Sequence, residues 1–91
     1  MYINKMIFKE ADEVALLDNK YGYNVIQDTD YGTREILGDT LNNLLAELEN
    51  NNESDFDFTK EELLQDLNTV LGEEVVKMLL NGELDFIQVI Y

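Results

Sequence analysis

The order of hydrophobic and polar residues divides the chain into a first part typical of strands and a second part typical of helices. In residues 2–9, β-branched and aromatic residues mix with lysines, which favours a strand. Short apolar segments follow at residues 13–17, 22–27 and 32–37, and each has the length of a strand. We therefore predict that residues 1–37 consist mainly of strands and form an antiparallel meander.

One turn motif occurs twice between these predicted strands. The segments DNKYGY (18–23) and DTDYGT (28–33) share the pattern Asp-x-x-Tyr-Gly at a spacing of ten residues. Aspartate is favoured at the first position of a type I turn, and glycine adopts a positive φ at low cost. We expect each copy to close a hairpin loop of four residues. A pair of binding loops is the alternative interpretation.

Leucines later in the chain recur at helical spacing. In the segment 39–50 they occupy positions i, i+3, i+4 and i+7, namely Leu41, Leu44, Leu45 and Leu48. Gly38 is expected to end the preceding strand, and Asp39 or Thr40 is the candidate N-cap. These features predict a first helix over residues 39–50.

Two further helices are predicted before residue 82. Thr59 and Glu62 have the spacing of a capping box and precede an apolar face that ends at Leu71. Gly72 stops or bends this helix, and Glu73 and Glu74 favour the start of a short third helix. The pair Asn81-Gly82 is typical of its C-terminal end.

The last segment, ELDFIQVIY (83–91), is apolar on both faces of a predicted strand. Such a strand is normally well covered, so it is expected inside the sheet or in a dimer interface. The prediction is therefore one α+β domain over residues 1–91, with an antiparallel sheet packed against about three short helices in the order ββββαααβ.

Charge adds a strong asymmetry to this picture. Twenty acidic residues oppose six basic ones, which gives a net charge of −14 at pH 7. The segment 47–66, ELENNNESDFDFTKEELLQD, alone contains eight acids and one base. Nucleic acids and anionic lipid surfaces carry the same sign, so direct binding to either is not expected.

Few residue types that support catalysis are present. Histidine and cysteine are absent, and the single serine, Ser54, has no neighbouring base. The five glycines all fall at predicted turns or helix ends, so no phosphate-binding loop is indicated. We expect a protein without enzymatic activity or a cofactor.

The lysines within the N-terminal apolar stretch argue against a signal peptide, and a cytoplasmic location is expected.

Two segments have some of the oxygen ligands that calcium requires. Residues 28–32 resemble the first half of an EF-hand loop, but Thr33 stands at the position of the invariant glycine and Asp39 at that of the final glutamate. The segment 51–57 has carboxylates and amides without a fixed spacing. We therefore expect no metal at either segment.

The acidic segment allows two interpretations. Carboxylates at a helix start are favourable, which accounts for Asp57, Glu61 and Glu62. The remaining acids lack lysines to balance them, and like charges at i and i+4, as in Glu62 and Asp66, destabilise a helix. The acidic face either serves solubility alone or is itself the surface that a basic partner recognises.

In size, charge, lack of histidine and cysteine, and predicted α+β make-up, the chain resembles small acidic inhibitors of phages and mobile elements, the anti-restriction and anti-CRISPR DNA mimics. The resemblance includes no alignable motif. It implies a protein of the host cytoplasm that occupies a basic nucleic-acid-binding surface, for example that of a nuclease effector. The predicted contact residues are Glu47, Glu49, Glu53, Asp55, Phe56, Asp57, Glu61, Glu62, Asp66, Glu73 and Glu74.

Within this set, Phe56 is proposed as an exposed anchor, whereas Phe58 is expected to pack onto the helix as a hydrophobic staple.

Another class of function stays open. The chain is alternatively a regulatory or antitoxin-like subunit that pairs with a basic protein, or an acidic homodimer joined through residues 83–91.

Overall fold

The structure, a computed structural model, describes residues 7–50 and 56–90 and shows an α+β domain, as predicted. The strands within these ranges are β1 (Ile7–Glu10), β2 (Gln27–Asp28), β3 (Arg34–Leu37) and β4 (Phe86–Ile90). The helices are α1 (Ala15–Tyr21), α2 (Gly38–Asn50), α3 (Lys60–Leu71) and α4 (Glu73–Asn81). A short 3-10 turn, Gly22–Asn24, follows α1.

The four strands form one mixed sheet in the order β1-β4-β3-β2. β4 is antiparallel to β3 and parallel to β1, with Ile7 opposite Ile87. The prediction of a purely antiparallel sheet is therefore wrong. The reason is that β1 leads into a helix instead of a hairpin, and a helical crossover lets β1 join the sheet parallel to a distant strand.

The segment 13–17 was predicted to be a strand, and this prediction is wrong, because the segment leads into α1. Val14, Leu17 and Tyr21 are spaced at i, i+3 and i+7, and all three are buried. This spacing is that of one helical face, but the apolar run itself is too short to distinguish a helix from a strand.

The two copies of the turn motif adopt different structures. In the first copy, Asp18 lies within α1 and Gly22, at a φ of 55°, ends that helix. The predicted strand 22–27 is accordingly reduced to the 3-10 turn and the start of β2. The second copy closes the β2–β3 hairpin, whose loop comprises residues 29–33 instead of the predicted four.

The three later helices agree with the sequence patterns. The Thr59 hydroxyl accepts a hydrogen bond from the Glu62 backbone N–H at 3.1 Å, which caps α3. Gly72, at a φ of 91°, separates α3 from α4, and Gly82 ends α4 in the left-handed conformation. Only the start of α2 differs, because that helix begins at Gly38 and not after it.

Gly38 is required by a close approach of two elements. A Cβ atom at this position would collide with the backbone carbonyl oxygen of Leu79 in α4. The Gly38 N–H donates to the Asp85 carbonyl oxygen at 2.9 Å, which holds the start of α2 beside the segment before β4. This glycine thus permits α2 and α4 to pack, and it does not merely end a strand.

The helices cover one face of the sheet, where Ile36, Ile87 and Val89 are buried in the core. The other face is open, and Phe8 and Ile90 are 49% and 44% exposed. The register sets polar residues beside them, with Gln88 next to Phe8 and Glu10 next to Ile90. The open face therefore carries both apolar and polar side chains.

β4 lies inside the sheet, as one of the two expectations for residues 83–91 stated. Its backbone pairs with β1 on one side and β3 on the other. The edges of β4 are therefore used within the chain and are not available for pairing with β4 of a second copy.

Candidate partner-binding surface

Five of the predicted contact residues lie at the end of α2, just before α3 or on the first two turns of α3, and we name them the α3 acidic cluster: Glu49, Asp57, Glu61, Glu62 and Asp66. Glu49 comes from the end of α2 and reaches this cluster through Lys60, whose Nζ lies 2.9 Å from Glu49 Oε1. Asp57 precedes the Thr59 cap, and Glu61 and Glu62 occupy the first turn of α3. Carboxylates in this position interact favourably with the positive end of the helix dipole.

Two members of the cluster bind one lysine from α1. Lys20 Nζ lies 2.5 Å from Glu62 Oε2 and 2.7 Å from Asp66 Oδ2. The Tyr21 hydroxyl also donates a hydrogen bond to Asp66 Oδ2, at 2.5 Å. These contacts attach α1 to α3, so Glu62 and Asp66 have a structural role in addition to their charge.

The same contacts change the protonation equilibria of the groups involved. The hydrogen bond from Lys20, followed by that from Tyr21, lowers the pKa of Asp66 below its usual value. Burial of the ring, followed by the bond to Asp66, raises the pKa of Tyr21. Asp66 is thus a stable anion and Tyr21 a stable neutral donor at neutral pH.

Asp57 and Glu61 differ from the other members of the α3 acidic cluster. Both are exposed, and no basic side chain of residues 7–50 and 56–90 forms an ion pair with either. The cluster as a whole sets five carboxylates against Lys20 and Lys60, so this end of the molecule keeps an excess of negative charge.

The remaining predicted contact residues lie elsewhere. Glu47 points to another side of α2 from Glu49 and lines a shallow cavity of about 210 Å³ with Tyr23 and Asn24. Glu73 and Glu74 begin α4, beyond the far end of α3, which is roughly 18 Å long at the rise of an α-helix. The structure therefore divides the predicted set into separate groups. Glu53 and Asp55 lie outside the described residues.

Phe56 is half-buried and does not project as a free anchor. Its ring centroid lies 5.3 Å from that of Phe58, and both rings belong to the hydrophobic core or pack against it. Phe58 in turn meets the Tyr21 ring edge to face at 4.7 Å. Phe58 is thus buried in the core, and the ring contacts that hold it are those with Tyr21 and Phe56.

Sequence reasoning missed two features of the surface. Lys20 neutralises part of the acidic cluster, although it is far from that cluster in sequence. Tyr31, in the second copy of the turn motif, is 93% exposed at the hairpin tip, whereas the equivalent Tyr21 is 4% exposed. The repeated motif marks both tyrosines, but it does not tell which of them is buried.

In the first calcium candidate, Asp28 is paired with an arginine. Arg34 Nε lies 3.1 Å from Asp28 Oδ1, so a guanidinium binds the carboxylate that would open a calcium loop. Of the second candidate, 51–57, only the last two residues are described. The described residues contain no group of three or more side chains suited to hold a metal ion. Among the helices of the described ranges, none combines the length and the apolar character needed to span a bilayer.

Comparison with protein-family models, curated proteins and solved structures gives no match to this chain. The charge, exposure and pairing of the described side chains are therefore the observations from which a function can be inferred.

Proposed function

We propose that this protein is a small, non-enzymatic inhibitor that binds a basic surface on another protein. The surface proposed as the target is one on which a nucleic-acid-binding protein, such as a nuclease effector, normally holds DNA or RNA. The α3 acidic cluster would replace the phosphates of the nucleic acid, with Asp57 and Glu61 as its unpaired carboxylates. The pairing of charges around this cluster is the observation that carries the proposal.

The chain uses most of its cations internally. Lys9, Lys20, Arg34 and Lys60 each form an ion pair with an acidic residue of the same chain. These pairs tie α1 to α3, α1 to the hairpin, and α2 to α3. Because six bases face twenty acids, the carboxylates left over cannot be neutralised by the chain itself.

An excess of like charge lowers the stability of a folded domain, yet it gives the domain a field that attracts cations. Duplex DNA presents one negative charge per ~1.7 Å of axis, and proteins that bind it present lysines and arginines in return. A partner with such a surface would associate with this protein quickly at low ionic strength and weakly at high ionic strength. This expectation separates a recognised surface from one that serves solubility alone.

The decisive experiment combines capture with competition. The immobilised protein is incubated with host lysate at low salt, and retained proteins are identified after elution by salt or by duplex DNA. The proposal predicts that a nucleic-acid-binding protein is retained and that DNA displaces it. A partner that is retained but that DNA cannot displace would favour the regulatory-subunit alternative, and retention of no such protein would contradict both.

A pair of charge-reversed variants locates the surface. The double variant Asp57→Lys/Glu61→Lys should lose capture and keep the fold, because neither side chain forms an ion pair with a described residue and only the favourable interaction with the α3 dipole is lost. The matched control is Glu10→Lys/Asp12→Lys, which changes the net charge equally at exposed positions near the end of β1. Equal capture by both variants would show that total charge, and not the α3 acidic cluster, determines binding.

A further inference from the structure

We propose that Tyr31, at the tip of the β2–β3 hairpin, is a second contact point that receives an arginine side chain of the partner against its ring. This inference rests on the proposed function, because it assumes that the partner presents a positively charged surface. It adds a named residue outside the α3 acidic cluster and a preference for guanidinium over ammonium.

The hairpin loop holds Tyr31 in a defined place. The Thr29 N–H donates to the Thr33 carbonyl oxygen at 2.8 Å, and the two threonine hydroxyls lie 2.6 Å apart. The Gly32 N–H donates to the Thr29 carbonyl oxygen at 3.2 Å, and the Tyr31 N–H donates to the Thr29 hydroxyl at 3.3 Å. Gly32 adopts a φ of 80°, which a side chain would disfavour. The loop is therefore ordered by its own hydrogen bonds.

The side chain of Tyr31 is exposed at the tip of this ordered loop. Residues 7–50 and 56–90 contribute no ring or cation contact to it. Tyr21 holds the same place in the first copy of the motif, but its ring is buried and its hydroxyl binds Asp66. Tyr21 of the first copy is therefore part of the core, whereas Tyr31 of the second copy is exposed to solvent.

An exposed tyrosine on an ordered loop is well suited to binding. Tyrosine offers a large contact area with few rotatable bonds, and a loop that is already ordered loses little entropy when a partner binds. Tyrosine is also among the residues that most often dominate the binding energy of protein interfaces.

The surroundings favour a cationic group over the ring. Asp30 precedes Tyr31 and is exposed, whereas Asp28 is already paired with Arg34. The chain provides an internal example, because the guanidinium carbon of Arg34 in β3 lies 6.0 Å from the ring centroid of Tyr23 in the 3-10 turn. A guanidinium stacks on an aromatic face more readily than an ammonium does.

The test uses a hexa-arginine peptide as the probe and the full chain labelled with ¹⁵N. Titration at low salt should shift the amide signals of residues 29–33, in addition to those of the α3 acidic cluster. Tyr31→Leu should weaken peptide binding about two- to fivefold, the range expected for a cation–π contact at an exposed site. Tyr31→Phe should bind like the unchanged protein, because it keeps the aromatic ring.

Two controls make the result specific. Phe8→Leu removes another half-exposed aromatic ring, on the open face of the sheet, and should leave peptide binding unchanged. A hexa-lysine peptide should shift the signals of the cluster but shift those of residues 29–33 less than hexa-arginine does.

The inference would be overturned if hexa-arginine left the signals of residues 29–33 in place, or if Tyr31→Leu bound the peptide as tightly as the unchanged protein. Either outcome leaves the proposed function intact, provided that Asp57→Lys/Glu61→Lys still abolishes capture of the partner. Loss of the hairpin response and of that capture effect together would remove both proposals.

Discussion

Asp18 and Asp28 both bind the guanidinium of Arg34, although one belongs to α1 and the other to β2. The two Asp18 carboxylate oxygens accept hydrogen bonds of 2.9 and 3.1 Å, and Asp28 Oδ1 lies 3.1 Å from Arg34 Nε. These are the first residues of the two Asp-x-x-Tyr-Gly copies. The repeated aspartates therefore converge on one cation and fasten the hairpin to the first helix.

Arg34→Lys should destabilise the fold by about 1–2 kcal/mol, because an ammonium cannot bind Asp18 with two parallel hydrogen bonds and still reach Asp28. The measurement is the free energy of unfolding in urea at neutral pH. Lys77→Ala is the control, since Lys77 is exposed on α4 and its loss should cost no more than about 0.5 kcal/mol. Equal losses in both variants would show that the Arg34 contacts add nothing to stability.

Asp66→Asn should destabilise the fold at pH 7 and have a smaller effect in acid. The pKa of Asp66 in the folded state is lowered by the hydrogen bonds from Lys20 and Tyr21. A lowered pKa contributes stability above the unfolded-state value of about 3.9 and loses it as the pH falls through the folded-state value.

The difference in unfolding free energy between the wild type and Asp66→Asn should therefore be about 1–3 kcal/mol at pH 7 and shrink below about pH 4. Urea denaturation across this range of pH measures it. Asp12→Asn serves as the control at neutral pH, because Asp12 is exposed in the turn after β1. A difference that stayed constant down to pH 2 would contradict the ionised hydrogen-bonded pair.

Gly38→Ala should destabilise the fold by about 2–3 kcal/mol, because the added methyl group meets the Leu79 carbonyl and forces α2 away from α4. At an open helical site the same substitution would stabilise by about 0.5–1 kcal/mol, so the sign of the change is diagnostic. Thermal unfolding measures the effect. Asn43→Ala, on the exposed side of the same helix, provides the control, and a gain in stability from Gly38→Ala would refute the close approach.

The helices of the second half could be predicted because their signals are local. Four leucines at helical spacing define α2, and the Thr59 cap and Gly72 define α3. The helix α1 could not be predicted, because Tyr21, which completes its buried face, belongs to a motif that also fits a turn. The parallel pairing of β1 with β4 could not be predicted either, since the pairing of Ile7 with Ile87 depends on the path of the whole chain.

For the candidate surface, the sequence shows where acids are dense but not which of them stay unpaired. Lys20 reaches Asp66 across 46 positions, and Lys60 of α3 reaches Glu49 of α2 across 11 positions. Only the packing of α1 and α2 against α3 brings Lys20 to Asp66 and Glu49 to Lys60. The same packing leaves Asp57 and Glu61 without such partners among the described residues, which reduces the proposed unpaired contact residues of the cluster to these two.

The central place of β4 has a consequence for synthesis on the ribosome. Translation proceeds from the N-terminus, so β1 and the β2–β3 hairpin emerge well before the strand that must lie between them. A nascent chain that ends before residue 86 can form helices, but it cannot join β1 to β3. Completion of the sheet therefore waits until the helices α1 to α4 have been synthesised, and termination before residue 86 would yield a product that quality-control proteases can degrade.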